Sequence, residues 1–327
     1  MKLTVASEDY DRFAPLRDGR VKPEGIELNW LTLRVEEIFW RMIRHQEFDA
    51  SELSLSGYIL QRSKGIDDFV AIPVFPSRTF RHSAIYINAN SGIERPEDLR
   101  GRRMGVPEYQ MTAAVWARGL LSDDFGVKPQ ELEWTQGGLE NSGRRPFVAV
   151  EPEGVRLEFA PDGKTLSQMI AIGELDALIS PRIPSTYVGN DGPVRQLFPQ
   201  PWVAERDYFS RTGLFPIMHT FAIRREVLER DPWIAQTMFK ALFEAKRLAY
   251  SALFDTTALR VTLPFLVEHY ESTVALMGED FWPYGIEPNR KVIETLMRYL
   301  VEQGMMPEPL DVDSLFAQST RAMRVGI

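Results

Sequence analysis

The 327-residue chain has no cysteine and only four histidines. Without a thiol there is no disulfide, no thiolate nucleophile and no zinc or iron–sulfur site built on sulfur. No stretch approaches the roughly 18 uninterrupted apolar residues that cross a bilayer. The N-terminus, Met1-Lys2-Leu3-Thr4-Val5-Ala6-Ser7-Glu8-Asp9, turns polar before a signal-peptide core can develop, which predicts a cytoplasmic protein with no membrane partner. The net charge is −8 and no polybasic run exists, so a nucleic-acid partner is not expected. There is no P-loop, no Gly-x-Gly-x-x-Gly, no Gly-x-Ser-x-Gly frame around Ser54 or Ser56, and no pair of histidines at metal-ligand spacing. A dispersed His/Glu metal site is the one metal site the sequence leaves open.

What is present is an ordinary globular composition, long enough for two modest domains or one large one. Short apolar runs alternate with helical patterns, which predicts an α/β fold with a mostly parallel sheet covered by helices. Strands are expected at Leu3–Ala6, Ile26–Leu33, Asp49–Leu55, Phe69–Val74, Ser83–Asn88, Arg103–Val106, Ala177–Ser180 and Met218–Ile223. Val35, Ile38, Phe39, Met42 and Ile43 mark one face of a helix ending near His45; Thr112–Phe125 reads as a helix stopped by Gly126. Residues 137–163 read as an irregular excursion, and beyond Ile223 the chain reads as almost wholly helical, with the last helix closed by Gly304. Taking Ser83–Asn88 and Met218–Ile223 as two crossing segments gives residues 1–86 plus 221–327 as one lobe, with its C-terminal helical extension, and 87–220 as an inserted lobe. Folds of this kind bind their ligands where the loops at strand ends converge.

An acidic protein that binds an anion must gather arginines against its own field. The segment Phe75–His82 does so. As an extended segment it would put Arg78, Phe80 and His82 on one face and Arg81 on the other. A guanidinium, an aromatic plane and an imidazole together suit a carboxylated aromatic ring, although a surface arginine pair beside a core phenylalanine accounts for the pattern equally well. Glu108, Tyr109, Gln110 and Thr112 run from a strand end into a helix start, where backbone N–H groups bind anions, or where Thr112 simply caps its helix. Arg182, between Pro181 and Pro184, follows another strand and suits a fixed clamp or a loop salt bridge. Ser54 and Ser56 offer hydroxyls or a cap, and His219 lies at the second crossing. The aromatics of Phe281-Trp282-Pro283-Tyr284 either cap the core or form a surface for a homo-oligomer.

The stretches Glu52-Leu-Ser-Leu-Ser56, Val74-Phe-Pro-Ser-Arg78, Phe80-Arg-His82, Gly105-Val-Pro-Glu-Tyr-Gln110, Val115-Trp-Ala-Arg118, Asp123-Asp-Phe-Gly-Val-Lys-Pro129, Arg211-Thr-Gly-Leu-Phe-Pro-Ile-Met-His-Thr220 and Gly278-Glu-Asp-Phe-Trp282 closely resemble the 4,5-dihydroxyphthalate decarboxylase family. The likeness runs from Tyr10 to about Asn289 and weakens over 141–161 and near the C-terminus. It implies a type 2 periplasmic-binding-protein-like fold and a cytoplasmic enzyme that turns 4,5-dihydroxyphthalate into protocatechuate and CO2.

Losing CO2 from an aromatic ring needs a place for the electron pair left on carbon. A hydroxyl para to the departing carboxylate supplies it, so no cofactor is expected. The protein then needs a base at the phenol, an acid at the ring carbon and a clamp on the retained carboxylate. The residues expected in these roles are His82 as proton donor with His219 as second choice, Glu108 at the hydroxyls, and Arg78 with Arg182 as clamp, Arg81 substituting. Phe80, Ser54, Ser56, Tyr109, Gln110 and Thr112 complete the expected binding surface. A solute-binding protein for a small carboxylate would use the same arginines without a proton donor, and a decarboxylase of a related substrate would look the same.

Overall fold

Apolar residues at helical and alternating spacing produce the elements expected of them. Val35–His45 is a helix that buries Ile38, Phe39 and Met42 and ends at Gln46, whose φ of 49° is left-handed. Thr112–Phe125 is a helix closed by Gly126 at φ 64°, a conformation glycine adopts without strain.

The computed structural model describes residues 1–323. Among the described residues eleven strands follow in chain order: β1 (Lys2–Ser7), β2 (Glu27–Thr32), β3 (Ala50–Ser54), β4 (Phe69–Ile72), β5 (Ile85–Asn88), β6 (Arg103–Val106), β7 (Glu133–Gln136), β8 (Arg156–Phe159), β9 (Ala177–Ile179), β10 (Val194–Gln196) and β11 (His219–Arg224). They form two sheets. In the first, ordered β2-β1-β3-β11-β4, β1 is parallel to β2 and β3, and β11 is antiparallel to β3 and β4. In the second, ordered β10-β5-β9-β6-β7-β8, strands β9, β6, β7 and β8 are parallel and β5 is antiparallel to β9 and β10. The strands expected as crossings, β5 and β11, are thus the ones that run against the parallel core of each sheet.

The chain divides into two units. The first comprises Met1–Arg78, Ile217–Ile293 and the stretch from Leu310 on; the second comprises Thr79–Pro216 and Glu294–Pro309. The sequence places these boundaries at 86/87 and 220/221 and keeps the C-terminal helices together. The structure sets them earlier because β11 pairs with β3 from its first residue, and because Thr79 N–H donates to Pro216 inside the second unit. Residues 294–309 join the second unit through Tyr299, which is buried against Trp116 with ring centroids 5.4 Å apart.

In the first unit Leu3, Val5, Ile72, Phe221 and Ile223 pack on Met238, Phe239 and Leu242 of the helix Ile234–Ser251. In the second, Tyr86, Leu178 and Val194 pack on Leu166 and Ile170 of the helix Leu166–Ala171. Each such fully buried side chain contributes about 1.5–3 kcal/mol. No helix among the described residues is long and apolar enough to cross a membrane.

Candidate functional site

In the first unit the chemistry gathers at the carboxyl ends of β1 and β3, the usual site-bearing edge of a parallel sheet. β11 runs antiparallel beside β3 with His219 opposite Ser54, and Glu52 lies two residues before Ser54 on the same face. The result is a diagonal cross-strand pair: His219 Nδ1 lies 2.8 Å from Glu52 Oε2. The Glu52 side chain is fully buried, while the His219 side chain keeps 15% of its surface. Two more donors serve the carboxylate, the Glu8 N–H at Oε1 and the Tyr10 hydroxyl at Oε2, 2.9 Å away. Burial, then the Glu52 charge, pushes the Tyr10 hydroxyl far above its ordinary range, so it stays a donor. With Nδ1–H given to a carboxylate, Nε2 is the imidazole nitrogen left for proton exchange. The edge of Phe39, 5.0 Å between centroids, fixes the ring plane.

In the second unit Glu108, just past β6, is 1% exposed and accepts from Arg144 Nε at 2.8 Å and from the Gln110 amide at 2.7 Å. Burial raises the affinity of this carboxyl for a proton, and the Arg144 guanidinium opposes the rise. Tyr109 is wholly buried under Arg118, whose guanidinium carbon is 3.7 Å from the ring centroid, and its N–H donates to Gln136 at 2.7 Å. The helix starts at Thr112, but its N-cap is Met111 and no side chain caps it. The expectation that Thr112 caps its helix is therefore corrected: Thr112 is already the first helical residue, too far along to cap.

Phe75–His82 is not the extended face that its alternation suggests. β4 ends at Ile72, the following residues form a loop with one isolated bridge between Arg78 and Ile217, and His82–Ala84 is a turn of 3-10 helix. Arg78 packs in the first unit, where its Nη2 donates to the Pro283 carbonyl at 3.0 Å and to the Asn289 amide oxygen. Burial lowers this guanidinium to about 9. Phe80 packs in the second unit, tilted on Phe215 with centroids 4.8 Å apart. Arg81 is half-buried there; burial lowers it to about 10, with Glu205 opposing.

His82 is 2% exposed between the edges of Phe198 and Tyr208. Burial in this apolar nest pushes its imidazole down to about 4. Arg182 is exposed in a loop closed by Ser180, whose hydroxyl donates to the Arg182 carbonyl at 2.7 Å. Ser54 caps the helix Leu55–Ser63 by accepting from Gly57 N–H and lies 3.4 Å from the Ser56 hydroxyl. The aromatics at 281–284 cap the core: Phe281 stacks on Tyr250 at 4.6 Å, Trp282 Nε1 donates to the Phe75 carbonyl at 2.8 Å, and Tyr284 is buried.

Ser54, Ser56 and His219 thus share one strand edge of the first unit, while Glu108, Tyr109, Gln110 and Thr112 share one turn of the second. Sequence reasoning missed Glu52 as the partner of His219, Tyr10 as a second donor to Glu52, and Arg144 as the partner of Glu108. Glu52 carried a readable signal, an acid in the middle of an otherwise apolar, hydroxyl-bearing strand. Arg144 carried none, being a charged residue in a charged loop. Among the described residues, no three His, Asp or Glu side chains are placed to hold a metal ion.

No family model matches the chain. Several solved structures share its fold. One is a protein of Archaeoglobus fulgidus (TM-score 0.54, 15% identity, 93% of this chain and 98% of that one). Others are the periplasmic aliphatic sulphonate binding protein of Escherichia coli (0.52, 14%, 98% and 99%) and the ligand-binding component of an ABC-type import system of Staphylococcus aureus (0.53, 8%, 98% and 98%). Two mixed sheets with parallel cores, each with one antiparallel strand next to an edge strand, place the chain in the class of type 2 periplasmic-binding-protein-like folds. Within that class its sequence is 40% identical over 317 residues to 4,5-dihydroxyphthalate decarboxylase of Comamonas testosteroni (97% of this chain, 96% of that protein). It is 43% identical over 210 residues to the enzyme of the same name from Pseudomonas putida (64% and 81%). The chain belongs to the 4,5-dihydroxyphthalate decarboxylase family.

Proposed function

We propose that this chain is a carboxy-lyase that converts 4,5-dihydroxyphthalate to protocatechuate and CO2, and that His219, held by Glu52, moves the proton. Substrate and reaction rest on the two decarboxylases named above. The proton chemistry rests on one observation, the 2.8 Å contact of His219 Nδ1 with a fully buried carboxylate.

The para hydroxyl gives its proton to solvent, regained when the product forms, and pushes density onto the ring carbon that bears a carboxylate. That carbon takes a proton, the carbon–carboxylate bond breaks, CO2 leaves and aromaticity returns. The net reaction puts one proton where CO2 was. An imidazolium whose Nδ1–H is tied to Glu52 presents Nε2–H in a fixed direction, and the carboxylate holds the positive charge until the proton is given. His82 suits this role less well, because a group pushed down to about 4 carries almost no proton at neutral pH. Arg78 suits the clamp less well than its sequence position suggests, since Pro283 and Asn289 take donors from its guanidinium.

A cytoplasmic location belongs to the same proposal. Activity in the cytosolic fraction of native cells supports it; release with the periplasmic fraction contradicts it. The reaction is tested with purified, metal-stripped protein and 4,5-dihydroxyphthalate, following CO2 and protocatechuate. Both products in equal amounts support the proposal. Tight binding without turnover favours a solute-binding protein, and neither binding nor turnover overturns the substrate.

A further inference from the structure

The His219–Glu52 pair has a third member. The Tyr10 hydroxyl donates to Glu52 Oε2, the same oxygen that receives His219 Nδ1, while Oε1 receives the Glu8 N–H. A carboxylate oxygen shared by two donors gives less of its charge to each. The Tyr10 ring does not need its hydroxyl to stay in place. Arg12 lies over it at 4.1 Å from the centroid, and the buried Phe13 meets it edge-on at 5.7 Å. Arg12 is in turn held by the Pro76 carbonyl at 2.7 Å.

We propose that Tyr10 is a positioning residue that sets, through the Glu52 oxygen they share, how tightly His219 holds its proton. The inference rests on the reading of His219 as the proton carrier. The groups gathered around the His219–Glu52 pair come from several elements. From β3 there is Glu52, with the Ser54 and Ser56 hydroxyls at its end; from the loop after β1 there are Glu8, Tyr10 and Arg12. From the helix Val35–His45 comes the ring of Phe39, and the Ser77 backbone carbonyl accepts the His219 backbone N–H. Glu52 is the anion in direct contact, and Tyr10 is the side chain that competes for it.

The test is Tyr10→Phe, read in two ways. The first is the proton resonance of His219 Nδ1–H, assigned by its loss in His219→Gln. Without the competing hydroxyl, Glu52 draws this proton more strongly and the resonance moves downfield; in Glu52→Gln it moves upfield. The second is the pH profile of kcat/KM with 4,5-dihydroxyphthalate, whose His219-dependent limb moves to higher pH in Tyr10→Phe and to lower pH in Glu52→Gln. A tyrosine that only packed would move neither readout. An unchanged Nδ1–H resonance in Tyr10→Phe overturns the inference. A resonance that moves while the pH profile of a working enzyme does not leaves Tyr10 acting on His219, and removes His219 from the proton step.

Discussion

The ring of Tyr299 occupies the space a side chain at residue 119 would need: a Cβ built on Gly119 falls 2.2 Å from two of its ring carbons. Gly119 is therefore present for close approach, because its helix, Thr112–Phe125, meets the segment that brings residues 294–309 into the second unit. The Tyr299 hydroxyl is anchored on Asp123 at 2.7 Å, so the ring cannot swing aside without losing that bond. Gly119→Ala is expected to destabilise the protein by about 1–3 kcal/mol through overpacking, although alanine is the better helix former. Denaturant unfolding measures it, and a stabilised variant would mean that the ring yields freely.

His82 makes stability depend on pH in a defined window. Its imidazole is pushed down to about 4 by burial, so the unfolded chain binds the proton first as pH falls. The contribution is complete above the unfolded value of about 6.5 and is lost as pH falls toward 4. Wild-type stability is expected to drop by roughly 2–3 kcal/mol more than that of His82→Gln between pH 7 and pH 4.5. Parallel stability curves for the two proteins would contradict the burial of a neutral imidazole.

Arg144 and Glu108 form a one-sided pair, with side-chain exposures of 30% and 2%. Removing the guanidinium leaves a buried carboxyl whose affinity for a proton is already raised by burial. Arg144→Gln is expected to cost about 2–3 kcal/mol at neutral pH, less than a fully enclosed pair because Arg144 meets solvent. The deficit should shrink as pH falls and Glu108 takes up a proton, and the double variant Glu108→Gln, Arg144→Gln should recover most of it. A deficit that is independent of pH and unrescued would show that Arg144 supports the loop by other contacts.

Legibility in the sequence followed range. The helix Val35–His45 was readable because its apolar spacing and its end are local. So were β6 and the helix Thr112–Phe125. The helix Pro201–Thr212 was not, since Tyr208 is its one buried residue and no apolar stripe marks it. β8 was lost in the excursion because it is an edge strand with an exposed, charged pattern. Phe75–His82 misled for the opposite reason: a period of two survives in a loop that changes unit between Arg78 and Thr79. His219 and Glu52 were each visible, but they meet across 167 residues of chain, and the register of β3 with β11 is what brings them together. Local pattern carries no record of that register.

The proton role of His219 is tested by the turnover number of His219→Gln with 4,5-dihydroxyphthalate, measured beside the binding of phthalate, which has both carboxylates and no hydroxyl to drive the reaction. A positioned proton donor is worth about 10²–10⁴-fold. In His219→Gln, kcat is expected to fall by that factor with phthalate binding retained. Wild-type turnover in His219→Gln would contradict it.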